Sequence, residues 1–254
     1  MVFVMAAGRR LSISVALAAE GTTPPEFRRL PLEAGGYSMI LDREVTSAEY
    51  LEFLNDPATL ARIPAPDRPL RLVPRNRQDS VAGHWKRGAD GLFSLGQGWL
   101  PDWPVLGVSC EDAFEYAAWR TARDRPLGGR GVYALPNLPE WLEAGGRDGR
   151  LWVCGHRMRP KWTKSCFSRR RAYPEPGLRF PRDESPMGVF DLAGSVAEWT
   201  DDLYDPAQGM KRVAGGCWAW GKMDWFQMWA GQGWPPALAG DETGFRLVLR
   251  EAAK

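Results

Sequence analysis

Histidine and cysteine are scarce in this chain, with two His and four Cys among 254 residues. Two imidazoles, His84 and His156, are too few for a His-rich iron centre. Cys110, Cys154, Cys166 and Cys217 form no CxxC pair and fit no disulfide framework, so free thiols in a reducing compartment are expected. Cys154, His156 and Cys166 offer three soft ligands, but the spacing matches no common zinc pattern and a fourth ligand is missing. Charge of one sign is also missing. Lys plus Arg number 33 against 31 Asp plus Glu, for a net charge of +2. Composition therefore gives no reason to expect a nucleic-acid or membrane partner. No stretch approaches the ~20 apolar residues of a membrane span. The apolar run Met1–Ala7 precedes Arg9 and Arg10, the wrong order for a secretory signal, so a cytoplasmic location is expected. GxSxG, P-loop, HExxH and GxGxxG are all absent, and no spacing singles out a catalytic carboxylate pair.

What the chain has in quantity is Gly (28), Pro (21) and Trp (13). Many Gly and Pro mean many turns, hence a loop-rich fold. Hydrophobic residues at 44% and charged residues at 25% are ordinary for a folded domain. The length suffices for a substantial core without staples.

Local patterns place several elements. Gly36–Leu41 reads as a short strand, and Leu11–Ala18 as an opening strand or leader ahead of the break Thr22–Pro25. Thr46 with Glu49, Ser109 with Asp112 and Asn137 with Glu140 each have capping-box spacing. They predict two principal helices near 46–55 and 109–123 and a short third one ending near Gly145-Gly146. A hairpin is expected around Gly88–Leu95. Residues 147–186 read as an insertion, and short apolar runs between Gly turns after Val189 predict small antiparallel strands.

Five phrases follow one another along the chain. They are Glu44-Val45-Thr46-Ser47-Ala48-Glu49-Tyr50; Gly107-Val108-Ser109; Leu135-Pro136-Asn137 with Glu140-Trp141; the run Gly188 to Trp199; and Arg212-Val213-Ala214-Gly215-Gly216-Cys217-Trp218, closed by Gly244-Phe245-Arg246. As an ordered set they resemble the formylglycine-generating-enzyme (sulfatase-modifying factor) family, over roughly residues 36 to 249. The resemblance implies an α+β, C-type-lectin-like fold with small antiparallel sheets and two main helices. Residues 1–35 are then a leader or opening strand, and 36–254 a single domain. The family's enzymes carry two copper-binding cysteines after the Gly-Gly turn. Aligned on that turn, the two positions here are Trp220 and Trp225, so no copper is expected. The resemblance also implies one structural calcium, carried over onto Asp191, Gly194, Val196 and Glu198; the alternative is a tight turn with Glu198 paired to an arginine.

The segment Cys217–Trp234 fits neither a strand nor an amphipathic helix and reads as an irregular aromatic loop. Rigid rings with polar neighbours make contact surfaces. Trp220, Lys222, Asp224, Trp225, Gln227, Trp229, Gln232 and Trp234 are therefore the expected ligand-binding residues. The placement is similar to the hypervariable face in the variable proteins of diversity-generating retroelements. The expected function is non-enzymatic recognition of a ligand, expected to be a protein. The alternatives are a divergent oxidase using Cys217 and a structural or assembly module. The basic run Arg169-Arg170-Arg171, with Lys161, Lys164, Arg157, Arg159 and Arg179 around it, reads as a solvated insertion rather than a nucleic-acid site.

Overall fold

Four helices begin where a polar side chain can satisfy their first amides. In the computed structural model, which describes residues 26–32, 36–63, 71–78, 80–125, 131–159, 162–163 and 176–251, helix α1 (Ser47–Asn55) opens on Thr46. Thr46 Oγ1 accepts the Glu49 amide, and Glu49 accepts the Thr46 amide at 2.8 Å. Asp56 then caps the short α2 (Pro57–Leu60). Ser109 and Asp112 start α3 (Cys110–Asp124), and Asn137 and Glu140 start α4 (Leu138–Ala144), which stops at Gly145. All three capping boxes read from the sequence are present.

The strands are β1 (Phe27–Pro31), β2 (Tyr37–Leu41), β3 (Trp85–Arg87), β4 (Phe93–Leu95), β5 (Gly131–Ala134), β6 (Ala197–Asp205), β7 (Met210–Ala214), β8 (Gly231–Trp234), β9 (Thr243–Gly244) and β10 (Val248–Glu251). One sheet runs β1-β2-β10-β5 and is antiparallel throughout. β3 and β4 form the expected hairpin. The last sheet runs β8-β7-β6-β9; only its short β6–β9 pair is parallel. β1 pairs with β2 over its whole length, so this sheet begins ahead of Gly36. Leu11–Ala18 and Thr22–Pro25 lie outside the described residues, as do Lys161, Lys164, Cys166 and Arg169–Arg171 in the insertion.

The core sits where α1 and α3 meet the sheets. Tyr50 of α1 stacks on Tyr116 of α3 at 5.6 Å, and Phe245 meets Tyr116 edge-on at 5.3 Å. Tyr50 Oη donates to the Leu72 carbonyl at 2.7 Å, so its one polar atom is satisfied. Trp199 is fully buried and donates through Nε1 to the Val108 carbonyl at 2.9 Å. Trp141, also fully buried, anchors a second cluster with Leu192, Phe226 and Met228. Among the described residues no helix is long and apolar enough to cross a membrane.

Candidate functional site

The site is framed by two turns that lace together. Asp191, Gly194 and Ser195 all have positive φ, and Gly215 and Gly216 follow at +88° and +71°. The last two must be glycine. A Cβ on Gly215 would press on the Leu192 carbonyl, and one on Gly216 on the Phe226 ring. The Gly194 amide donates to the Gly215 carbonyl at 2.7 Å, and the Trp218 amide to the Ser195 carbonyl at 2.7 Å. These bonds fix where the segment after Gly216 leaves the core.

Beneath the turns, Glu198 and Arg246 form a bidentate ion pair. Both bonds are 2.6 Å, and both side chains are fully buried. Arg246 also donates to the carbonyls of Leu41 and Phe190. Burial pushes the Glu198 carboxyl up, against the downward pull of Arg246. The arginine-paired turn is thus the arrangement found. Of the four residues carried over to calcium, Glu198 has both oxygens engaged by Arg246, and Asp191 Oδ2 accepts the Leu178 amide at 2.9 Å. Gly194 and Val196 lie on the same buried turn. Among the described residues, no three His, Cys, Asp or Glu side chains converge as metal ligands do. With both Glu198 oxygens on Arg246, the set carried over to calcium keeps Asp191 and the two backbone carbonyls for a cation.

The segment Cys217–Trp234 is more ordered than an irregular loop. Met223–Phe226 makes a turn of 3-10 helix, and Gly231–Trp234 is strand β8. Phe226 and Met228 are buried and pin the turn, helped by the Met228 amide donating to the Leu151 carbonyl at 2.8 Å. Trp220 and Trp225 are half-buried and meet edge to face at 5.1 Å. Trp220 also approaches Trp234 at 6.4 Å. Trp234 is a correction to the expected binding set. It is only 8% exposed, because pairing of β8 with β7 turns its ring onto Trp199 at 6.2 Å. Lys222 and Asp224 are exposed, Gln227 and Gln232 half-buried, and Trp229 is 59% exposed. Lys222 Nζ lies 5.1 Å over the Trp225 ring.

Two partners of this surface were missed in the sequence. Arg77, from a Pro- and Arg-rich stretch with no pattern, lies 4.7 Å over Trp234 and pairs with Glu242 at 3.1 Å. Arg212 lies 5.1 Å over the Tyr204 ring. Contacts between segments far apart in the chain bring these residues together, and no spacing announces them. Among the described residues, Cys110, Cys154 and Cys217 form no disulfide. Burial pushes the thiols of Cys110 and Cys154 up, to about 12 and about 11, which suppresses the thiolate needed for metal binding or attack. Cys217 is fully buried.

Helices capped over small sheets, with a glycine-hinged aromatic segment between β7 and the closing strands, define a C-type-lectin-like protein of the formylglycine-generating type. The chain matches the sulfatase-modifying factor enzyme 1-like domain over residues 33–251 and belongs to that family. It is 32% identical over 130 residues to the inactive C-alpha-formylglycine-generating enzyme 2 of Mus musculus, covering 45% of this chain and 37% of that protein. It is equally 32% identical over 116 residues to the formylglycine-generating enzyme of Bos taurus, covering 41% of this chain and 28% of that protein. The chain therefore spans well under half the length of these relatives. Among solved structures it is similar to variable protein 1 of Treponema denticola, with a TM-score of 0.62 and 15% identity, over 95% of this chain and 98% of that one.

Proposed function

We propose that this chain recognises a ligand, a protein in the simplest case, without catalysing a reaction, and does so through the surface built from Trp220 to Trp229. One observation carries the reading. Where the resemblance puts two copper-binding cysteines, Trp220 and Trp225 stand edge to face at 5.1 Å. Thiolates hold copper(I), and an indole supplies no comparable ligand. Cys217, the nearest thiol in sequence, is fully buried. The Mus musculus relative is itself named inactive, which supports a non-catalytic role, as the Treponema variable protein supports a variable-protein role. A buried frame around an aromatic segment also suits recognition, because exposed side chains can change without disturbing the core. The reading takes the protein as cytoplasmic, supported by described cysteines that form no disulfide.

The test is copper titration with oxygen uptake. No copper-dependent oxygen consumption is expected; turnover dependent on Cys217 would overturn the reading in favour of an oxidase. The retroelement role has its own check. A reverse-transcriptase gene nearby and a near-copy of the coding end for 217–234 are expected, and their absence would remove that role.

A further inference from the structure

Strand β7 carries a guanidinium that no carboxylate among the described residues neutralises. Among the described residues Arg212 forms no ion pair, and its Nε is buried without a hydrogen-bond partner. The neighbouring strand explains its posture. β8 sets Gly233 opposite Arg212 and Gly231 opposite Ala214. A Cβ on Gly231 would overlap Arg212 Nη1, and one on Gly233 would overlap the Tyr204 ring. Two missing side chains thus leave a trough in which cation and ring lie along the strand. Tyr204 is 47% exposed and Leu203 beside it 50%. At the other end of the segment, exposed Lys222 lies over Trp225 and, among the described residues, also forms no ion pair. Arg77, over Trp234, is by contrast matched by an acid, Glu242. The acid within the segment, Asp224, takes Gln227 Nε2 at 3.4 Å rather than either cation.

A guanidinium lying over a ring still has its outer Nη1–Nη2 edge in plane, and that edge matches a carboxylate in bidentate geometry. We propose that Arg212 is a carboxylate receptor and that the partner of this surface is an acidic peptide segment. Its Asp or Glu side chain takes the Arg212 fork above β8, and its flanking residues lie against Tyr204. The proposal rests on the recognition reading above and names its partner class. A lone fork suits one carboxylate, whereas phosphoryl groups are drawn to clustered arginines.

The full chain is tested against immobilised peptides of equal length and aromatic content that carry Glu, Ser, Lys or phosphoserine at each position in turn. Glu peptides should be retained and released by salt. Arg212→Ala should weaken them roughly ten- to hundredfold, the weight of a charged hydrogen bond. Arg212→Lys should restore only part of this. Gly231→Ala, which crowds Nη1 but keeps the charge, should weaken them as well. Equal retention of Ser or Lys peptides, preference for phosphoserine, retention of none, or no effect of Arg212→Ala would each overturn the proposal. Trp220→Ala and Trp225→Ala on the same array separate the two readings. If they abolish retention while Arg212→Ala does not, recognition stands and the carboxylate receptor falls.

Discussion

At the scale of single residues, the tryptophans fall into three environments, and each should respond differently to truncation. Trp141 and Trp199 are fully buried. Their alanine variants should lose ~3–5 kcal/mol through transfer energy and a cavity. Trp229 is exposed, and its loss should change stability by under ~0.5 kcal/mol. Trp220 and Trp225 are half-buried and packed on each other. Truncating either should cost roughly 1–2 kcal/mol, between those limits, while weakening attachment to a partner. Urea unfolding of the five variants checks this order. If Trp220→Ala and Trp225→Ala cost as much as Trp199→Ala, the rings are core, and the recognition surface loses its centre. The sequence showed that this segment is crowded with indoles, but not which of them are covered. Burial of Trp234 depends on β8 pairing with β7, and a Gly-Gln-Gly-Trp strand carries no alternation to reveal it.

At the scale of elements, the helices were legible and the edge strands were not. A capping box is a local device: three residues fix both partners, so Thr46, Ser109 and Asn137 could be read without knowing the fold. β1 and β8 exist because of partners elsewhere in the chain, and so their ends escaped the pattern. Helix α1 adds a consequence that spacing does not show. Its capping Glu49 also pairs with Arg43 at 2.9 Å. Burial pushes the Glu49 carboxyl up, but Arg43 and the Thr46 amide outweigh it and hold it near about 2, below its usual 4.5. A depressed folded value means that the unfolded chain binds the proton first. The stabilisation is complete above pH ~4.5 and is lost as pH falls towards 2, amounting to roughly 3 kcal/mol. Glu49→Gln keeps the cap but not the ion pair. It should lower stability at pH 7 and flatten the acid limb of the stability profile. A variant with an unchanged acid limb would show that the pair contributes nothing.

At the scale of the whole molecule, one buried ion pair ties distant parts together. Arg246, just ahead of β10, holds Glu198 of β6 and reaches the carbonyls of Leu41 at the end of β2 and Phe190 in the turn. The sequence displayed these phrases separately, and their order identified the fold, but their mutual contacts are non-local. Glu198 was accordingly assigned to calcium through the resemblance, whereas in the fold its oxygens face a guanidinium. With that cation already in place, chelator should leave melting unchanged; a fall reversed by calcium would restore the metal reading. The two halves of the pair should also differ when removed. Glu198→Gln strands a guanidinium that cannot shed its proton, and should cost ~3–5 kcal/mol at any moderate pH. Arg246→Met strands a carboxyl that can take one up, because burial already raises it. The folded variant then binds a proton that the unfolded chain releases near its ordinary pKa. Its stability should be highest in mild acid and decline as pH rises from ~4.5 towards and past neutrality. Melting curves of both variants across pH 5 to about 8.5 decide the matter. A flat profile for Arg246→Met, or a Glu198→Gln protein as stable as the parent, would show that the pair does not bear the strain its position implies.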